Sequence, residues 1–409
     1  MNALATPKRL FDHIERIKSH IVRDPAGLLP YRYIVPTAIV DEGLGRQAGV
    51  YAQQYDWDAF FEGVALTYDG TDGAEAFRDA MCNSLHFTTA GGYTPRTLSP
   101  EKFWDFPDRM KPFLAQGCLL TARALDDVSW LRGERYTRLI ASLDYWDAHR
   151  VGGHGLYMWR SALESGVDNN ASSVNMPDLT VEAVDVNAYL VREFQAASRI
   201  AETLGFDDDA ERFASRAIET ARRMNAVLWD EVEGIYYDVL SVSDEPISRI
   251  RVKTWTCLTA LWAGVATGDR AKRLIEGHVL NEAEYWGPYG VPSLARSEVV
   301  YNQGRRGIVY IPAEERRWTV SNWQGPVWVI TNWQVMHGLL RYGYSDAAKE
   351  LATKVVGLLD RDVEKTGGMH ENYDAETGVG LWSPNFGSWN LLAGYMMSEA
   401  ESGFDPARI

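Results

Sequence analysis

The chain has 409 residues, 46% hydrophobic and 24% charged, which suits one large globular domain. A net charge of −15 without a basic stripe argues against a nucleic-acid partner. No run approaches the 18 apolar residues that would suggest a membrane span.

The N-terminal stretch MNALATPKRLFDHIERIKSHIV reads as an amphipathic helix rather than a signal sequence, because charges interrupt every apolar run, so a cytoplasmic protein is expected. Helical periodicity follows near 57–67, 73–87, 108–126 and 130–149. Over 184–205, Val186, Leu190, Phe194, Ala197 and Ile200 form one stripe, and Gly205 can end the helix. The next segment begins FDDDAE (206–211) and carries its arginines later, as the helix dipole prefers. Further helices are expected near 253–266, 269–279, 326–341, 345–360 and 387–401. Strand-like pieces, GIYYDVL (234–240) and RGIVYIP (306–312), are short and isolated.

Long loops rich in Gly, Pro and aromatics separate these helices at 88–106, 151–183, 281–322 and 366–386. Loops of that length inside a domain are usually functional. Twelve helix-plus-loop units of about 34 residues would fill the chain. Six inner and six outer helices in an α/α toroid would gather one set of loops around a funnel. A solenoid competes, but no consensus repeats at a fixed period.

Metal and cofactor chemistry find little support. The sequence holds no GxSxG, no GxxxxGK[ST] and no HExxH. GLGRQAG (43–49) has the wrong glycine spacing for a dinucleotide fold. Cys82, Cys118 and Cys257 are widely spaced, which fits buried free thiols rather than disulfides or zinc. His13 and His20 share a helix, where a surface face explains them better than a metal. DGTDG (69–73) and FDDDAE sit where helix N-caps are expected rather than calcium. No cofactor and no metal are expected.

What remains is carboxylates among aromatics. Many of the 15 tryptophans stand beside polar or small residues, as in DWDAFF, EYWGPYG, SNWQGPVW, TNWQ and LWSPNFGSWN. An indole that stacks on C–H faces next to hydroxyl-binding groups suits a sugar, although barrel packing accounts for half or more of them. Cleaving a glycosidic bond takes one protonated and one ionised carboxyl. Asp168, in ESGVDNNASS, and Glu371, in TGGMHENYDAETG, are candidates. From the residues alone Asp56, Asp58, Glu62, Glu164 and Asp374 are equally arguable.

The series YAQQYDWDAFF (51–61), LESGVDNNASS (163–173), AVDVNAYLVREF (183–194), YGVPSLARSE (289–298), NWQGPVW (322–328) and HENYDAETG (370–378) resembles family 63 glycoside hydrolases, in that family's order. The resemblance implies an all-α (α/α)6 barrel, a single catalytic domain over residues 1–409 with an N-terminal helical segment at about 1–25. It implies an inverting α-glycosidase with Asp168 as general acid and Glu371 as general base. Trp57 and Asp58 match the pair that holds the nonreducing sugar. Trp323, Gly325 and Trp328 match the barrel-wall motif and, with Gln324 inside it, are expected to bind substrate; Tyr51 and Asn169 are lesser candidates for the same pocket.

Two positions depart from the family. Gln324 stands where arginine is usual, and Lys111 stands near a glutamine's place. FGSWN (386–390) also differs from the usual Gly-Trp ending, which lowers the weight given to Trp389. Short relatives include hydrolases of mannosylglycerate and glucosylglycerate, so a small anionic glycoside is the expected substrate, with Lys111, Arg96 or Arg305 as partners for its carboxylate. A hydrolase of neutral α-gluco-disaccharides is the alternative, then a sugar epimerase or isomerase working through His370, then a non-catalytic sugar-binding protein. A homo-oligomer is left open.

Overall fold

The structure is a computed structural model that describes residues 5–37, 51–101, 107–242, 246–302 and 322–409. Apart from a one-turn helix at Ala162–Ser165, the described residues form twelve α-helices. In chain order they are α1 (Lys8–Ile21), α2 (Asp56–Leu66), α3 (Thr71–Phe87), α4 (Leu114–Ala124), α5 (Glu134–His149), α6 (Val184–Leu204), α7 (Asp207–Arg223), α8 (Thr259–Trp262), α9 (Gly268–Leu274), α10 (Val329–Arg341), α11 (Ser345–Thr366) and α12 (Met396–Ser402). A 3₁₀ turn, Trp255–Leu258, leads into α8, and another, Ser388–Gly394, precedes α12.

Inner and outer helices differ in how their surfaces are buried. Every residue of α2 is buried, and 16 of the 21 in α6, as befits helices of an inner layer. By contrast α7 buries only Phe213, Ala217 and Thr220, while α1 buries the stripe Leu10, Ile14, Ile17 and Ile21. Around the inner ring α2 packs on α4, α4 on α6, α6 on α8, α8 on α10, α10 on the 388–394 turn, and that turn back on α2. Outside it α3 covers α2 and α4, α7 covers α6, and α11 covers α10. α1 lies against α11 and the 388–394 turn, so the first helix completes the outer layer beside the last pair. This is an (α/α)6 barrel. No described helix is long and apolar enough to cross a membrane.

Several boundaries move for local reasons. The helix expected at 108–126 starts only at Leu114, because Pro112 disfavours helical backbone at Lys111 before it. The 366–386 stretch is not an irregular loop: His370–Tyr373 pairs antiparallel with Gly380–Pro384. GIYYDVL divides into two two-residue strands, Ile235–Tyr236 and Val239–Leu240. Neither Gly70 nor Phe206 makes a side-chain cap, although acidic residues do fill the first turns that follow. His13 is buried rather than on a surface face. The three cysteines are free and buried. RGIVYIP, GLGRQAG and Arg305 lie outside the described residues.

Candidate active site

One end of the barrel carries a cavity of ≈ 190 Å³ where the loops above the inner helices converge. Tyr51, Trp57, Asp58, Arg96, Lys111, Asp168, Trp323, Trp328 and Glu371 all line it, although up to 320 residues separate them in sequence. The walls are aromatic. Trp323 and Trp328 stack face to face, with centroids 3.8 Å apart and planes at 4°. Trp57 meets Trp323 at 6.0 Å and Trp389 edge-on at 5.5 Å, so the indoles brace one another before any ligand arrives.

Trp57 and Asp58 come from the first turn of α2, and Lys111 fixes that turn. The Lys111 ammonium lies 2.9 Å from Asp56 Oδ1 and 4.6 Å from the centre of the Trp57 ring. Asp56 Oδ2 accepts the Lys111 backbone N–H at 2.7 Å, and Oδ1 also accepts the N–H of Trp57 at 2.8 Å. Asp58 Oδ1 accepts the Ser388 hydroxyl at 2.6 Å, and Glu62 sits fully buried one turn further along α2.

Asp168 follows a one-turn helix, Ala162–Ser165, whose Glu164 is its anchor. Glu164 pairs with Arg150 at 2.7 Å and accepts the backbone N–H groups of Arg109 and Arg160. Gly166 then takes a left-handed conformation, φ +79, where a Cβ would lie 2.7 Å from both Trp57 and Lys111. Beyond Asp168, Ser172 donates to Asp238 at 2.6 Å, and Asp238 in turn accepts the N–H of Val184 at the start of α6. The loop carrying Asp168 is thus tied at both ends.

Electrostatics follow from the crowding of carboxyls in a dry cleft. Burial is the largest cause for each, and it pushes Asp168 up to about 7, with Arg96 and Lys111 pulling it down and Asp58 and Asp108 pushing it further. Asp58 is also raised to about 7 by burial, against the Ser388 hydroxyl and Lys111. Glu371 stands well above the ordinary carboxylate range through burial, then through Asp58 and Asp168, while a Ser383 backbone N–H and the Tyr51 hydroxyl lower it. Repulsion between two carboxylates is mutual, so ionising either Asp168 or Glu371 favours the proton on the other. One protonated and one ionised carboxyl is the arrangement that general acid and general base require.

The sequence model of the mannosylglycerate hydrolase MGH1-like glycoside hydrolase domain matches residues 78–389. The chain belongs to this family. A mannosylglycerate hydrolase of Rubrobacter radiotolerans is 32% identical over 233 residues, 57% of this chain and 47% of that protein. One of Thermus thermophilus is 32% identical over 166 residues, 40% of this chain and 33% of its own. The chain therefore spans less than half the length of these curated relatives. In three dimensions it resembles a GH63 mannosylglycerate hydrolase of Thermus thermophilus in complex with Tris and D-glycerate, at TM-score 0.70 and 21% identity over 94% of this chain and 99% of the other. It also resembles the neutral trehalase of Saccharomyces cerevisiae, at TM-score 0.63 and 15% identity over 96% and 82%. These likenesses support the barrel.

Within this glycoside hydrolase fold, three expected ligand residues stand behind the cavity rather than on it. Asn169 Oδ1 accepts the N–H of Trp323 at 2.8 Å, and Gln324 donates to the Asn169 carbonyl at 2.8 Å. Gly325, φ +143, packs against Asn302 and donates to Ser293 Oγ. Asn169 and Gln324 tie the Trp323 wall to the Asp168 loop, and Gly325 ties it to Ser293. Arg96 lines the cavity with its guanidinium on the Leu163 carbonyl at 2.5 Å and Asp108 at 4.0 Å. His370 is turned to Asp362, 2.8 Å away, and does not line the cavity. Trp389, given less weight from its sequence context, is a wall residue, as are Tyr55 and Phe386. Trp333 belongs to the core and donates to Glu399, while Trp286 donates to Glu350 outside the site. Polar neighbours in sequence could not separate these cases, because each indole has one N–H to satisfy wherever it lies.

Proposed function

We propose that this chain is an inverting α-glycoside hydrolase that releases mannose or glucose from a small α-glycoside, mannosylglycerate or glucosylglycerate. The observation that carries the reading is that Asp168 and Glu371 line one tryptophan-walled cavity; burial raises both carboxyls, and which is acid and which base follows the family motifs. In this reading the sugar lies against Trp57 with its hydroxyls on Asp58. Asp168 gives its proton to the glycosidic oxygen as the bond to the anomeric carbon breaks. Glu371 takes a proton from the water that attacks that carbon from the opposite face, and the configuration inverts. Room for the water requires about 6.5–9.5 Å between the two carboxyls.

A neutral α-gluco-disaccharide is the competing substrate, and one observation favours it. Lys111 is already neutralised by Asp56, and the described lining carries four carboxyls against two cations. Arg96, the other described cation on the lining, is itself engaged by the Leu163 carbonyl and Asp108. An epimerase reading loses support because His370 faces Asp362.

A proton NMR time course with α-mannosides and α-glucosides, both glycerate conjugates included, tests the proposal. First appearance of β-sugar from a glycerate conjugate is expected. First appearance of α-sugar, or no turnover of any glycoside, defeats it.

A further inference from the structure

Tyr51 stands between two partners beside the cavity. Its hydroxyl lies 3.4 Å from Glu371 Oε2, and the indole Nε1 of Trp382 donates to the same hydroxyl oxygen at 3.1 Å. A phenol has one hydrogen and two lone pairs, and an indole N–H can only donate. Trp382 therefore occupies a lone pair of Tyr51 and cannot receive its hydrogen, which is left for Glu371.

Trp382 is held there at a cost. Its φ of +61 is in the left-handed region, which a bulky side chain rarely adopts. It sits where the hairpin register shifts between Leu381 and Pro384. The residue remains 40% exposed, so core packing does not account for the strain. Strained backbone of this kind persists where surrounding contacts over-determine it, often at functional sites.

We propose that Trp382 is a positioning residue for the hydrolysis: by donating to Tyr51 Oη it fixes the phenolic hydrogen on Glu371 and favours the form of Glu371 that can take a proton from water. This rests on the reading of Glu371 as the base. The groups around Glu371 show why such a donor matters. Asp58 from α2 and Asp168 from the loop after Ser165 both oppose its ionisation, and burial opposes it most. Arg96 and Lys111 act on Asp168 instead, and His370 faces Asp362. Tyr51 supplies the side-chain hydrogen bond that favours the ionised carboxylate, beside the backbone N–H of Ser383.

The test is the pH dependence of kcat/KM for wild type, Trp382→Phe, Tyr51→Phe and the double variant, on the glycoside that the NMR panel identifies. Trp382→Phe keeps an aromatic ring on the same strained backbone and removes the N–H donor. The ascending limb reports the base in the free enzyme. Tyr51→Phe is expected to move it up by about 0.5–1 pH unit, and Trp382→Phe by a smaller step in the same direction. In the Tyr51→Phe background Trp382→Phe should add nothing. An unmoved limb in Trp382→Phe, or additive shifts, overturns the inference. If Trp382→Phe melts early, Trp382→His, which keeps a ring N–H, carries the test: a wild-type limb supports the inference and the Tyr51→Phe limb overturns it. Glu371→Gln separates the two levels. Wild-type turnover there removes Glu371 as the base, whereas lost turnover with an unmoved Trp382→Phe limb removes only the role of Trp382.

Discussion

Lys111 and Asp56 are joined twice: the ammonium lies 2.9 Å from one carboxylate oxygen, and the Lys111 backbone N–H donates to the other at 2.7 Å. Both side chains are 2% exposed, and Trp57 lies directly under the ammonium. The pair is therefore part of the cavity wall that carries Trp57, and not a free cation waiting for a carboxylate.

Removing one partner of such a pair leaves the other buried and charged, at a cost of about 3–5 kcal/mol. Lys111→Met should lower the urea midpoint by a corresponding amount, and the double variant Lys111→Met with Asp56→Asn should recover a large part of the loss. A double variant no more stable than Lys111→Met would show that the ion pair is not the source of the effect.

Asp168→Asn and Glu371→Gln should each lower turnover of the hydrolysed glycoside by at least about 10²-fold. Their melting temperatures should stay level or rise, because each change replaces a desolvated acid with a neutral amide. Turnover within a few-fold of wild type in either variant would reassign the roles.

The raised carboxyls make a prediction about stability. Asp58, Asp168, Asp185 and Glu193 are all pushed up to about 7 by burial. Between about pH 4 and pH 7 the folded chain therefore holds protons that the unfolded chain releases, and stability falls as pH rises through that window. His13, lowered by burial to about 4, works in the opposite direction below 6.5, but it is one group against several. Denaturation in urea should show a higher midpoint near about pH 5 than near about pH 7.5. Glu62, fully buried and also raised, should add to the slope. Glu62→Gln is expected to flatten it by raising the midpoint at the higher pH. A lower midpoint for that variant at the higher pH would mean that Glu62 is held as an ion.

Gly166 cannot be replaced without moving that wall. A Cβ there would press on Trp57 and Lys111 at 2.7 Å, in a backbone conformation that alanine resists. Gly166→Ala should cost about 1–3 kcal/mol and raise KM more than it lowers kcat, because it displaces Trp57 before Asp168. Unchanged KM with lowered kcat would place the strain on the acid loop instead.

The existence and order of the helices were legible in the sequence, because a buried stripe repeats every three to four residues and needs only local information. Periodicity also located the stripe of α6, but not that Asp185, Asn187, Arg192 and Glu193 on its other faces are buried too. The motif series pointed to Asp168, Glu371, Trp57 and Asp58, which do share one cavity. Tertiary structure decided which polar residues face that cavity. Asn169 and Gln324 turn their amides to the backbone that joins the Trp323 wall to the Asp168 loop, a distinction of side-chain direction that loop composition does not carry. It also decided that Lys111 is matched by a carboxylate 55 residues earlier, and that Trp382 reaches a tyrosine 331 residues away. Closing the ring brings those loops to one rim, and that approach depends on how the five inner helices and the 388–394 turn pack rather than on any short stretch of the chain.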